Sequence, residues 1–164
     1  MYKVRRRSTR RLFQEYAEIL GELQRRGIVR STNSPVSDYA EVLVCEALKL
    51  KRAPASAKGY DATDSRGRKY EIKGRRPTLS NPSRQLSAIR DLDGGHFDFL
   101  VPVLFDEKFA VLRACKIPAA AAKAAARYRK HVNAWIVHAR DTLLGQTGVV
   151  DITERVKGAR SYAG

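Results

Sequence analysis

Two acidic residues and a lysine near the middle of the chain have the residue types and spacing that phosphate chemistry on a divalent cation requires. Asp61 precedes the turn sequence Asp64-Ser65-Arg66-Gly67, and Glu71 and Lys73 follow that turn two positions apart. Side chains along a strand alternate between its faces, so Glu71 and Lys73 share one face. Carboxylate oxygens suit Mg²⁺ or Mn²⁺, and a neighbouring ammonium group can orient a water and offset charge growing on a phosphate.

The length of the turn decides whether the two carboxylates meet. A three-residue loop, Ser65 to Gly67, places Asp61 opposite Glu71, whereas a two-residue loop would place Ala62 there. Patterning favours the longer loop, because it groups one apolar face from Tyr60, Ala62, Tyr70 and Ile72. Carboxylates opposed at roughly 5 Å between their β-carbons repel each other unless a cation lies between them. The hairpin therefore predicts a cation site, and the alternative is a solvated strand with alternating Lys and Glu.

The element before the hairpin is expected to be a helix from about Val36 to Leu50. Ser34 can cap it, with Pro35 in its first position, where a missing N–H does no harm. Its buried stripe is formed by Val36, Ala40, Leu43, Val44 and Ala47. Glu41 lies at the edge of this stripe, so we expect it to orient a metal-bound water or to bind a second metal.

An earlier helix is predicted from Arg10 to Arg26, ended by Gly27. Its apolar stripe is expected to be core or a dimer seam. Residues 1–11 carry six basic side chains and no acidic one. Such an arm is expected to be mobile, or ordered only on a phosphate backbone.

The remaining pattern predicts an α/β fold in a single domain, with the arm and first helix at 1–30, a core at 31–140 and a weakly patterned tail at 141–164. Alternating and β-rich runs predict strands, and periodic or alanine-rich runs predict helices. The predicted strands are Lys58–Thr63, Arg68–Gly74, Phe97–Phe105, Phe109–Ile117 and Asn133–Val137, and the further helices are Ser83–Leu92 and Pro118–Lys130.

Charge points to a polyanionic partner. The chain has 32 Lys and Arg against 17 Asp and Glu, a net charge of +15 and a pI near 10.3. Such a field attracts nucleic acid, since each neutralised phosphate releases counterions. Anionic membranes, acidic proteins and a solvated basic surface are the alternatives. The side chains expected to contact nucleic-acid phosphates lie near the acidic cluster and are Lys58, Arg66, Arg68, Lys69, Arg75, Arg76 and Arg84.

The order of Glu41, Asp61 and Glu71-Ile72-Lys73 resembles the PD-(D/E)XK nuclease superfamily, over about residues 36–115. It is similar in particular to small bacterial and phage members with a D-Y-A-E helix, a G-Y-D strand and an E/Q-I-K-G-R-R strand. The resemblance implies the restriction-endonuclease-like core, a mixed central sheet flanked by helices, here with an extra N-terminal helix. It departs at Tyr60, where the motif has proline, and Gln85 lacks the tyrosine that accompanies the downstream glutamine of some branches.

The resemblance also implies site roles and an activity. Asp61 and Glu71 would bind Mg²⁺ or Mn²⁺ with Glu41 assisting as a further ligand, and Lys73 would serve the attacking water. The implied activity is metal-dependent endonuclease cleavage of phosphodiester bonds, with DNA expected and RNA left open. The alternatives are a non-catalytic DNA- or RNA-binding protein on the same fold and a structural basic protein. A homodimer would suit cleavage of two antiparallel strands, although no residue demands it.

Other features narrow the expected class further. Cys45 and Cys115 are not in a C-x-x-C pair and read as reduced, buried thiols of a cytoplasmic protein. No secretory leader is visible in the sequence, and the apolar run Phe97–Phe105 falls short of the ~18 residues that a membrane span needs. His96 beside Asp98 is either a catalytic pair or, more commonly for such residues, a structural hydrogen bond. The histidines show no zinc-site companions, and Trp135 is expected in the core.

Overall fold

The computed structural model describes residues 4–30, 35–54 and 56–163. It is an α/β protein built on a mixed six-stranded sheet with the order β1-β2-β3-β4-β5-β8, and a separate two-stranded pair, β6-β7. The helices and strands, in chain order, are α1 (Thr9–Arg25), α2 (Val36–Leu48), β1 (Lys51–Arg52), β2 (Ala62–Thr63), β3 (Lys69–Arg75), β4 (Phe99–Phe105), β5 (Val111–Pro118), α3 (Ala119–Ala125), β6 (Arg127–Arg129), β7 (Ala134–Ile136), α4 (Asp141–Leu144), β8 (Val150–Asp151), α5 (Thr153–Lys157) and α6 (Arg160–Ala163).

The pairing of β3 and β4 makes the sheet mixed. Neighbouring strands of the sheet are antiparallel, except that β4 lies parallel to β3. Glu71 pairs with Leu100 across the parallel ladder, and Lys73 pairs with Pro102. Partners in a ladder share a face, so Glu71 and Lys73 lie on the same side of the sheet as Leu100.

Buried side chains form one cluster on each face of the sheet. On the first face, Leu43 and Val44 of α2 pack against Ile72 and Val101, and α5 adds Val156. The stripe predicted for α2 therefore forms this contact, and Leu43, Val44 and Ala40 are fully buried. The helix ends at Leu48, two residues earlier than predicted, because Lys49 adopts a left-handed conformation with φ of 56°.

The second face is covered by irregular backbone and short helices. Leu100 and Ile117 of the sheet pack there against Leu86, Ile89 and Leu143. Glu71 and Lys73 lie beneath this layer, which is where the candidate site forms.

The predicted helix at Ser83–Leu92 is wrong. This segment is extended in two places, since Leu86 N–H donates to the Val137 carbonyl and Ala139 N–H to the Arg84 carbonyl at 2.9 and 3.0 Å. Isolated bridges join Gln85 to His138 and Ile89 to Trp135, and the only helical part is a 3₁₀ turn at Leu92–Gly94 within residues 83–94. Pairing with a distant segment outweighs a weak local preference for helix.

The alanine-rich helix is shorter than predicted. It ends at Ala125, and Ala126 is already extended, with ψ of 152°. The chain then forms β6, which pairs with β7 through Tyr128 opposite Trp135. The predicted strand at Asn133–Val137 is confirmed as β7, and Trp135 is half-buried rather than central.

The first helix forms as predicted, but its apolar stripe does not become core. Ser8 caps α1, so the helix begins within the arm, and the Ser34 cap predicted for α2 lies outside the described residues. Leu20 is buried, whereas Phe13 is 70%, Tyr16 51% and Ile19 56% exposed. The expected dimer seam stays a prediction.

The C-terminal tail is part of the sheet rather than an appendage. Cys115 of β5 pairs with Asp151 of β8, and Ile152 N–H donates to the Ala114 carbonyl at 2.9 Å. Both cysteines, Cys45 and Cys115, are free and buried, as predicted. In the part of the chain that the structure describes, no helix is both long and apolar enough to cross a membrane.

Gly74 sets the distance between α2 and β3, and this close approach yields a stability prediction. A Cβ at Gly74 would lie 2.5 Å from the Val36 carbonyl oxygen and 3.0 Å from the Ala40 Cβ. We expect Gly74→Ala to lower the free energy of unfolding by about 1–3 kcal/mol, since α2 must move off the sheet. Urea denaturation of both proteins measures this difference.

Gly21→Ala is the matched control, because an added Cβ there meets nothing within 4 Å and Gly21 lies inside α1. It should stabilise by about 0.4–1 kcal/mol. Equal effects of the two substitutions would contradict the packing assigned to Gly74.

Candidate active site

The predicted hairpin forms with the predicted register. Ala62 pairs with Tyr70 and Thr63 with Lys69, and the loop closes through a hydrogen bond from Asp64 N–H to the Arg68 carbonyl at 3.0 Å. Three residues, Ser65 to Gly67, lie inside that bond. The paired residues end at Ala62, so Asp61 follows the last pair on the side of the hairpin toward Glu71.

Asp61 lies just outside β2 and uses its side chain in place of the ladder. Its N–H donates to the Tyr70 carbonyl at 2.8 Å, and its Oδ2 accepts from the Ile72 N–H at 2.6 Å. In a regular antiparallel ladder, the Ile72 N–H would donate to the backbone carbonyl of Tyr60 instead. The strand predicted as Lys58–Thr63 is therefore only Ala62–Thr63.

The bend at Asp61 also moves its neighbour. Ala62, Tyr70 and Ile72 join the buried cluster on the first face, as predicted. Tyr60 was predicted to join them, but it packs against the cluster on the second face. The alternation of side chains between the two faces therefore stops at Asp61, whose carboxylate accepts the Ile72 N–H in place of a backbone carbonyl.

Burial raises the pKa of Asp61 to about 7, and the Glu71 carboxylate adds to this rise. The Ile72 N–H and Lys73 lower the pKa, while Glu41 raises it further. The four predicted site residues thus lie close enough to act on one another electrostatically. The Asp61 carboxyl therefore gains or loses its proton near neutral pH.

Glu71 and Lys73 form a direct ion pair in a largely buried position. Lys73 Nζ lies 2.6 Å from Glu71 Oε1, and their side chains are 15% and 10% exposed. A charge-assisted hydrogen bond of this length fixes both side chains on one face of β3. The prediction that they share a face is confirmed.

Glu41 has an ion-pair partner that the sequence did not reveal. Arg52 of β1 contacts Glu41 Oε2 at 2.8 Å and Asp38 Oδ1 at 2.9 Å, and Arg30 Nη2 lies 3.8 Å from the same oxygen of Glu41. Glu41 therefore acts on Asp61 electrostatically, while its own charge is balanced by Arg52 of β1.

The acidic groups do not form a complete metal cage. Within residues 4–30, 35–54 and 56–163, no three or more Asp, Glu, His or Cys side chains come together in a way that could hold a metal ion. Asp61 and Glu71 remain a pair of neighbouring carboxylates. Mg²⁺ commonly uses one or two protein carboxylates and completes its shell with waters and substrate phosphate oxygens, so this pair fits such an ion.

Glu71 opens into a cleft of about 670 Å³. Two cations, Lys58 and Arg90, line it together with His96 and Asp91. A cleft that combines a carboxylate with flanking cations can admit a phosphate group beside Glu71, whereas Asp61 and Lys73 do not line it.

The histidine of this cleft has a partner other than the predicted one. His96 Nε2 lies 2.7 Å from Asp91 Oδ2, whereas Asp98 accepts from the Lys69 N–H at 2.7 Å. The suggested His96–Asp98 pair is therefore wrong. A Cβ at Gly59 would come within 2.5 Å of the His96 Cβ, so glycine there gives the histidine its place beside the hairpin.

Most cations predicted to contact phosphate are held by groups of this chain. Arg68 pairs with Asp64 and Arg84 with Asp141, at 2.7 and 2.8 Å. Arg75 donates to the Ser83 carbonyl and Arg76 to the Glu107 carbonyl, at 2.8 and 2.9 Å. Arg66, Lys69 and Lys58 are exposed and have no ion-pair partner in the described part of the chain, and Lys58 alone of these three lines the cleft. Their contact with nucleic acid stays a prediction.

No protein-family model matches the chain, and no curated protein matches it. The function proposed below therefore rests on the fold and on the geometry of the site.

Sequence reasoning missed Arg52 and the Asp91–His96 pair. Arg52 follows a helix in a basic, irregular stretch and meets Glu41 only once β1 pairs with β2. The glycine pair Gly94-Gly95 was the available sequence signal for the contact between His96 and Asp91. A Cβ at Gly94 would overlap both Asp91 Oδ2 and His96 Nε2, so the contact needs glycine there.

The raised pKa of Asp61 predicts a particular pH dependence of stability. Between the usual pKa of an aspartate and about 7, the folded state binds more protons than the unfolded state, so stability falls as pH rises through this window. Asp61→Asn keeps an acceptor for the Ile72 N–H and removes the charge. We expect this substitution to raise the melting temperature at about pH 8. The corresponding gain in unfolding free energy is at most about 4 kcal/mol, and it vanishes near pH 4.

Asp64→Asn is the control of opposite sign. Burial opposes ionisation of Asp64, but hydrogen bonds from the Arg68 side chain and from the Arg68 and Arg66 N–H groups outweigh it and lower its pKa. Its replacement should destabilise at neutral pH and matter less in acid. A parallel response of the two variants across thermal melts from pH 4 to 8 would contradict the assignment.

Proposed function

We propose that the chain is a divalent-metal-dependent nuclease that hydrolyses phosphodiester bonds, with DNA as the expected substrate. One observation carries the proposal. The Glu71 carboxylate lies close enough to Asp61 to raise its pKa, Lys73 is bonded to Glu71, and Glu71 opens into a cleft lined by Lys58 and Arg90.

Asp61 and Glu71 would hold Mg²⁺ or Mn²⁺. Such an ion, when bound, makes a water nucleophilic at neutral pH and polarises the phosphorus–oxygen bonds. The raised pKa of Asp61 supports this assignment, because two buried carboxylates without a cation favour holding a proton. We do not assign Glu41 as a direct ligand, since Arg52 holds its Oε2.

The remaining groups act on the substrate. The Lys73 ammonium, fixed by Glu71, would orient the attacking water and offset the negative charge that grows on the phosphate. Lys58 and Arg90 would hold phosphates on either side of the scissile bond. Glu41 would shape the cluster from α2 through its bond to Arg52.

The arrangement of elements supports the restriction-endonuclease-like core as part of this proposal. The chain has α2, then an antiparallel β2–β3 hairpin with β4 parallel to β3, which agrees with the helix and mixed central sheet that the resemblance implies. One part differs, since residues 76–98, which connect β3 to β4, contain a 3₁₀ turn and no α-helix.

A non-catalytic nucleic-acid-binding protein is the second candidate, and the net charge of +15 favours it equally. The carboxylates distinguish the two. A surface that only binds phosphates gains nothing from Glu71 in its cleft with Asp61 nearby, because carboxylates repel the ligand.

Cleavage of supercoiled plasmid in Mg²⁺ or Mn²⁺ tests the enzyme. Asp61→Asn and Lys73→Ala should each lower the cleavage rate by about 10²-fold or more, the usual cost of losing a group that stabilises charge in a transition state. Lys51→Ala is the control, since Lys51 is exposed on β1 and loses the same charge.

Cleavage by both site variants at the wild-type rate would contradict the assigned residues. Binding of DNA without cleavage by any of the proteins would favour the second candidate.

Metal binding can be measured without substrate. Mn²⁺ that binds only the folded state should raise the melting temperature, by an amount equivalent to about 2.7 kcal/mol at 100 times its dissociation constant. The shift should be lost in Asp61→Asn and in Glu71→Gln, and retained in Asp64→Asn. An equal shift in all four proteins would place the ion elsewhere.

A further inference from the structure

A small β-ribbon beside the cleft has the composition of a nucleic-acid-binding surface. It consists of β6, a 3₁₀ turn at Lys130–Val132 and β7. Every residue of β6 and of the turn is exposed. The sequence holds no Asp or Glu between Glu107 and Asp141, so no acidic side chain of the ribbon itself opposes a phosphate.

The ribbon is hydrogen-bonded to the wall of the cleft. Trp135 N–H donates to the Ile89 carbonyl, and Ile89 N–H donates to the Trp135 carbonyl, both at 2.9 Å. Ile89 and its neighbour Arg90 line the cleft that contains Glu71. A smaller cavity of about 360 Å³ continues past Arg90 to Tyr128 and Trp135.

Tyr128 offers a fixed aromatic ring at this place. Its hydroxyl donates to Asn133 Oδ1 at 2.7 Å, and its ring meets the Trp135 ring edge-on at 5.5 Å between centroids. The residue is nevertheless 48% exposed. An aromatic ring that is held in place and exposed can stack on a base with little loss of side-chain entropy.

Three cations complete the ribbon, and none of them pairs with a carboxylate in the described part of the chain. Arg127 and Arg129 alternate with Tyr128 along β6, and Lys130 follows in the turn. Of the two acids that line this cavity, Asp93 is ion-paired with Lys123, and Asp91 is hydrogen-bonded to His96.

We infer that this ribbon binds an unpaired nucleic-acid strand where the strand leaves the cleft. The inference rests on the proposed function for the identity of the ligand. Arg127, Arg129 and Lys130 contact successive phosphates, and a base stacks on Tyr128. An exposed aromatic ring with flanking cations favours single strands, because bases in a duplex have no free π-face.

Binding of a fluorescein-labelled single-stranded oligonucleotide, and of its duplex, tests the inference by anisotropy. EDTA in the buffer keeps any cleavage from entering the measurement. Tyr128→Ala should weaken single-strand binding by roughly 5- to 100-fold, the range expected when one base no longer stacks on a ring, and should leave the duplex nearly unchanged. Tyr128→Phe keeps the ring and should restore most of the affinity.

Replacing Arg127, Arg129 and Lys130 together by Ala should reduce the salt dependence of single-strand binding. The slope of log K against log salt concentration should fall by about 2, because each phosphate that a cation neutralises on a single strand accounts for ~0.7 of that slope. The charge-matched control replaces Lys51, Arg155 and Arg160, which are exposed and line neither the cleft nor the ribbon cavity.

The inference is overturned if Tyr128→Ala binds single strands like the wild type, if it weakens duplex binding equally, or if the ribbon and control triples change the slope alike. Absence of binding by the wild type also overturns it. These results separate from the proposed hydrolysis. A protein that cleaves plasmid through Asp61 while its ribbon variants bind normally loses only the ribbon, and one that binds through the ribbon without cleaving loses only the hydrolysis.

Discussion

The neighbouring carboxylates of Asp61 and Glu71 are the interaction on which the site depends. Two like charges withdrawn from water destabilise a fold unless each has its own compensation. Glu71 has Lys73 at 2.6 Å and Asp61 has the Ile72 N–H, while Glu41 is balanced by Arg52. Lys73 therefore stabilises the buried charge of Glu71. The pKa of Asp61 is raised, because burial and the neighbouring Glu71 carboxylate outweigh the Ile72 N–H and Lys73.

The local part of this arrangement could be predicted from the sequence. Loop length and strand alternation fix the register of the hairpin. The proximity of Asp61 and Glu71 therefore follows from residues that are close together in the sequence. The pairing of Glu71 with Lys73 follows from the same alternation. α2 was predicted from its apolar spacing, and its buried stripe packs against β3 as expected.

The long-range part could not be predicted. Arg52 meets Glu41, and His96 meets Asp91, only after distant segments have come together, and the basic residues around them offer many partners that the sequence alone cannot rank. Helix propensity also gave wrong predictions in two segments whose conformation is set by pairing with distant strands. The alanine-rich segment continues into β6 rather than helix because Tyr128 pairs with Trp135, and Ser83–Leu92 is extended because it bridges to the backbone near Val137.

Both outer strands of the six-stranded sheet contain only two residues, and each carries charge. β1 is Lys51–Arg52 and β8 is Val150–Asp151. A long apolar border would invite another polypeptide to add a strand, leading to aggregation, whereas a short charged border discourages it. The sheet is thereby protected against edge-to-edge pairing between copies of the chain, which can collect at high concentration without adding strands to one another.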